Sequence, residues 1–122
     1  MTPADTTQEA GRQLGLPMIT TFSLHKSGGL AIAHALDFDL VATSETPGMA
    51  LKKLRAAVKH HIEFGFRNGL HQNDIRLRAP QECWDRIKGA PLTLGEEIEI
   101  DNNQRIHTQT AIDDTERCLT TA

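Results

Sequence analysis

A chain of 122 residues with 39% apolar and 24% charged residues has the composition of one globular domain. Its formal charge of −3 gives no general attraction to nucleic acid or anionic lipid, so either contact would need a local basic patch. Four Phe, one Trp and no Tyr leave few platforms for stacking bases or sugars, and imply a mainly aliphatic core.

Residues 1–17 are polar and carry little pattern, so a flexible N-terminal arm is expected there. They lack the basic start and apolar stretch of a signal peptide. From Met18 the sequence alternates with the period of a strand, Thr20, Phe22 and Leu24 on one face and Ile19, Thr21, Ser23 and His25 on the other. Gly28-Gly29 follows as a hairpin turn, glycine being free to take positive φ. The next run alternates Leu30, Ile32, His34, Leu36, Phe38 and Leu40 against Ala31, Ala33, Ala35, Asp37 and Asp39. The large apolar face is expected beneath a helix, and the alanine face is either a thinly covered outer surface or a place where another molecule comes close. The run is long for one strand, so a break is expected near Leu36–Asp39.

Thr46-Pro47 marks a helix start, with Thr as N-cap and Pro at the first helical position. Ala50, Leu51, Leu54, Ala57, Val58, His61, Ile62 and Gly65 then recur at helical spacing, and Asn68-Gly69 supplies a left-handed stop. Residues 74–78 suggest a short strand returning to the sheet. A short helix through Glu82, Trp84 and Ile87 follows, ending at Gly89. Glu96–Ile100, an Asp101-Asn102-Asn103 turn and Arg105–Thr108 suggest a terminal β-hairpin, with a frayed tail from 113.

The fold expected is therefore α+β: an antiparallel sheet of three to four strands packed by one long helix, in the order β-β-β-α-β. The chain divides into the arm over 1–17, a domain over 18–88, and an extension over 89–122 made of the hairpin and tail. Cys83 and Cys118 lack CxxC spacing and secretory context, which suits reduced thiols and a cytoplasmic location. No stretch approaches the roughly 20 apolar residues of a membrane span.

The wording of residues 30–69 resembles the HicB-like antitoxin family. Asp37-Phe38-Asp39-Leu40 corresponds to that family's acidic turn, and Val41-Ala42-Thr43 with Thr46-Pro47 and Ala50-Leu51 to its helix start. The resemblance spans roughly 18–88. It implies a small sheet crossed by one helix, akin to a double-stranded-RNA-binding domain or a partial ribonuclease H. It also implies a non-enzymatic protein that binds a small RNA-cleaving HicA-like toxin, usually as a homo-oligomer. Many members also bind DNA through an appended module. Here residues 89–122 leave too little helix-forming sequence for one, so DNA binding is not expected.

Asp37 and Asp39 are the residues that decide between chemistry and binding. A two-metal nuclease needs several carboxylates converging on cations about 4 Å apart, and only Glu45 and Glu63 are near in sequence. The residues therefore favour a solvated or interface role over metal catalysis: plain surface first, and next to it an acidic patch for a basic partner, carried by Asp37, Asp39 and Glu45. The alternatives are a residual ribonuclease-H-like metal-dependent nuclease, and a stand-alone oligomerisation domain. Lys52, Lys53, Arg55 and Lys59 form the one local basic run, at helical spacing a solvated face first and otherwise a weak nucleic-acid surface, through Lys52, Lys53 and Lys59, without aromatic partners. Adjacent His60 and His61 diverge by about 100° on a helix and suit one ion poorly. No metal site and no cofactor is expected.

Overall fold

The structure is a computed structural model that describes residues 19–100 and 104–113, apart from the side chains of Gln72 and Asn73. The arm expected over 1–17, the Asp101–Asn103 turn and the tail beyond 113 lie outside the described residues.

Strand β1 (Ile19–Ser27) turns through Gly28 and Gly29 into β2 (Leu30–Ala35). Both glycines have positive φ, 59° and 83°, as a two-residue type I′ hairpin turn requires. The chain breaks after Ala35, as expected, and resumes as β3 (Leu40–Ser44). Helix α1 (Pro47–Arg67) begins where Thr46 Oγ1 accepts the Met49 N–H at 3.3 Å. It ends in a Schellman motif: Leu70 N–H donates to Gly65 O, Gly69 N–H to Phe66 O, and Gly69 sits at φ 64°. Both ends are those expected from Thr46-Pro47 and Asn68-Gly69.

Two short helices follow, α2 (Gln72–Ile75) and α3 (Gln81–Arg86). The strand expected over 74–78 is not formed; Asp74 and Ile75 close α2, and 76–80 are irregular. Ile75 explains this: it packs over Gly65, where an added Cβ would stand 2.6 Å from its Cγ1. The segment is thus held against α1 rather than in a ladder.

Strands β4 (Leu92–Leu94), β5 (Ile98–Ile100) and β6 (Gln104–Ile112) complete a mixed six-stranded sheet. The path runs β3-β2-β1-β6-β4, with β5 also on β6. The hairpin expected between residues 96 and 108 is present, Ile98 opposite Ile106. Its placement differs from the expected extension: β6 lies parallel to β1, Thr20 opposite Thr108 and Phe22 opposite Thr110. The α+β class and the long helix stand, but the sheet has six strands, one pair of them parallel. A boundary at 88/89 would cut through it.

The faces of β2 are also reversed from expectation. Ala31, Ala33 and Ala35 are buried beneath α1, whereas Leu30 is 42% exposed on the far face. The helix supplies the bulk here. Leu54, Val58 and Ile62 fill the layer, so the strand beneath must be small for the two surfaces to approach. Phe22, Leu24, Phe38, Ile98, Ile100 and Ile106 complete that core. On the far face a second cluster of Leu36, Ala79, Ile87 and Ala111 is covered by Cys83 and Trp84 of α3.

Candidate functional site

Asp37 and Asp39 occupy the β2–β3 turn but face different surroundings. Asp37 is only 6% exposed. Its Oδ2 accepts from Thr20 Oγ1 at 2.9 Å and from the Thr21 N–H at 3.1 Å. The local logic follows from register. Phe22 lies opposite Ala35, so Thr21 falls opposite Leu36, whose N–H still donates to Thr21 O at 3.0 Å. The Leu36 carbonyl, however, accepts from Ala79 N–H at 2.8 Å. The Asp37 carboxylate takes over as acceptor for Thr21, and so releases Leu36 to anchor the segment that carries α3. A buried N–H would otherwise lack a partner.

Asp39 points elsewhere. Its backbone is left-handed at φ 52°, a region Asp enters more readily than most residues. Its side chain is 47% exposed, and Oδ1 lies 2.7 Å from His34 Nε2. His34 projects from β2 on the far face of the sheet, opposite Ser23. Glu45 is exposed just beyond β3. Of the three acids expected to meet a partner, Asp39 and Glu45 are therefore on the surface and Asp37 is not. Asp37 belongs to the scaffold. Among the described residues, no three His, Cys, Asp or Glu side chains are grouped to hold a metal ion.

The basic run is largely engaged within the chain. Lys53 Nζ donates to the Thr43 carbonyl at 3.4 Å. Lys59 pairs with Glu63 at 3.0 Å and donates to the Glu99 carbonyl. Arg55 meets Glu96 at 3.3 Å. Only Lys52 of the three lysines considered for phosphate contact stands exposed without one of these bonds. Lys53 and Lys59 instead reach opposite borders of the sheet, β3 and β5, and cover a backbone carbonyl on each.

The adjacent histidines diverge as helix geometry requires. His60 is exposed and stacks on Phe64, ring centroids 6.3 Å apart. His61 is half-buried, edge-on to Phe38, with Nε2 2.6 Å from Ile75 O.

The far face of the sheet is unevenly covered. Near β6, α3 closes over it and leaves a groove of about 380 Å³ lined by Thr21, Arg78, Trp84, Lys88 and Gln109. Arg78 lies over the Trp84 ring at 4.5 Å. Near β3 the face is open: Leu30 and Val41 are exposed and Ile32 is half-buried. Among the described residues β3 has a strand neighbour on one side only. This free edge, bracketed by Asp39 and Glu45, went unnoticed in the sequence because nothing local says which strand ends a sheet.

Among the described residues, no helix is long and apolar enough to cross a membrane. No family model matches the sequence, and no curated protein or solved structure is significantly similar to it.

Proposed function

We propose that this chain is a HicB-like protein that works by binding a partner protein, its candidate partner being a small RNA-cleaving HicA-like toxin. The observation that carries the reading is the open end of the sheet. A free strand edge with exposed Leu30 and Val41 beside it is a surface that proteins ordinarily cover or guard. Exposed Asp39 and Glu45 at its ends suit a basic partner, since complementary charge steers encounter and fixes register. The resemblance of 30–69 to that family supports this reading, as does a sheet crossed by one helix, the arrangement the resemblance implies.

The test is isothermal titration of the purified chain with a purified HicA-like toxin, paired with size-exclusion co-elution. The expected result is saturable binding that inhibits RNA cleavage by the toxin. Absence of heat and of co-elution removes the toxin reading. A Mg²⁺- or Mn²⁺-dependent RNA cleavage by the chain itself, lost in Asp39→Asn and in an Asp37→Asn variant shown by circular dichroism to stay folded, would replace it with the nuclease alternative. Sedimentation velocity of the chain alone tests the oligomerisation alternative.

A further inference from the structure

The partner-binding reading leaves open where and what kind of segment docks. Strand β3, Leu-Val-Ala-Thr-Ser, carries no charge along its five residues. Its outer backbone groups can be identified from one hydrogen bond. Lys53 reaches the Thr43 carbonyl from α1, so that carbonyl faces away from β2. In an antiparallel ladder the N–H and C=O of one residue face the same side and alternate residue by residue. Thr43 and Val41 therefore present their N–H and C=O groups outward, ready to pair with another strand.

A second copy of this chain is disfavoured in the one antiparallel register that pairs all five residues of β3, and a slipped register pairs fewer of them. An antiparallel pairing of β3 with its own copy, centred on Ala42, sets Asp39 of one molecule opposite Glu45 of the other, twice. Like charges facing each other across strands are destabilising. The same bracket favours a strand with a cation at each end. Exposed Val41, with Ile32 and exposed Leu30 further along β2 on the same face beyond His34, which stands directly behind it, offers apolar side chains for one side of such a strand. The bond from Lys53 is long, from an exposed and flexible side chain, and is readily displaced by a better donor.

We infer that the β3 edge binds an extended, lysine- or arginine-flanked segment of a protein partner by strand addition. This rests on the partner-binding reading and gives it an edge, a register and a charge pattern. Main-chain bonds to Val41 and Thr43 hold the segment, and cations opposite Asp39 and Glu45 set its position.

The test uses fluorescence anisotropy with the full chain and a labelled peptide, acetyl-Lys-Thr-Val-Thr-Val-Thr-Lys-amide. Saturable binding is expected, weakened by salt. The peptide with Glu at both ends binds at least tenfold more weakly, and N-methylation of its two valine amides, which face Val41 and Thr43, abolishes binding. Asp39→Asn with Glu45→Gln lowers affinity for the lysine peptide about three- to tenfold, the scale of two exposed ion pairs. Lys53→Ala, which uncovers the Thr43 carbonyl, raises it. Val41→Pro removes an outward donor at a position where an edge strand tolerates proline and abolishes binding, its fold being checked by circular dichroism. Equal binding of the lysine and glutamate peptides, or none of either, overturns the proposal. So does a dimer of the free chain that Val41→Pro dissociates, because the edge would then belong to a second copy. Toxin binding that ignores all of these variants sinks the β3 assignment and leaves the partner reading standing. Peptide binding without toxin binding does the reverse.

Discussion

The two faces of the sheet bury their side chains in different ways. Beneath α1 the arrangement is bulk against methyl: Leu54, Val58 and Ile62 meet Ala31, Ala33 and Ala35 with nothing left exposed. On the far face the cover is a six-residue helix and irregular chain, held at one point by the Ala79–Leu36 bond, and it stops short of β3. The comparison teaches that stability and availability have been separated. One face fixes the fold, while the other leaves unfilled surface at the β3 edge.

Substitutions that remove packing should report this asymmetry. Leu54→Ala opens a cavity in the sealed layer and is expected to cost about 3–5 kcal/mol, the upper part of the range for such truncations. Ile87→Ala, in the smaller cluster with a more yielding cover, is expected to cost about 2 kcal/mol. Denaturant unfolding of both variants decides it. Equal losses would mean that α3 seals its face as tightly as α1 does.

Asp37→Ala tests the link between the faces. It strips the acceptor from the Thr21 N–H and from Thr20, both buried, at an expected cost of about 1–3 kcal/mol. The protection of the Ala79 amide against hydrogen exchange should fall with it, since the released Leu36 carbonyl can return to Thr21. Unchanged protection would show that α3 is anchored without Asp37. The smallest effect is expected at the open edge. Val41→Thr, on exposed surface, should change stability by no more than about 0.5 kcal/mol, and a larger loss would mean that the edge is covered in solution.

Local signals carried much of this fold. Thr46-Pro47 and Asn68-Gly69 delimit α1 because caps are satisfied within a few residues, and the Gly28-Gly29 turn was readable for the same reason. The β5–β6 hairpin followed from alternating residues on either side of a turn. What local pattern could not supply was partnership. The faces of β2 were misjudged because alternation tells which residues share a side, not which side the helix takes. The parallel seat of β6 beside β1 has no signal in either strand. The sequence reads Asp37 as surface because Thr20 and Thr21, its hydrogen-bond partners, become neighbours only through the β1–β2 register. Asp39 and Glu45 are exposed, but no local pattern marks the uncharged strand between them as a sheet edge.

The seat of β6 carries a consequence for how the molecule is made. Thr21 and Gln109, joined side chain to side chain, stand 88 positions apart, so β1 acquires its second neighbour only after nearly all of the intervening chain exists. A chain ending at α1 lacks the strand that pairs with the second side of β1. Non-local pairing of this kind slows folding relative to helices and hairpins. Completion of the sheet is therefore a late event in biogenesis, and the interval before it is when the growing polypeptide most needs protection from its neighbours.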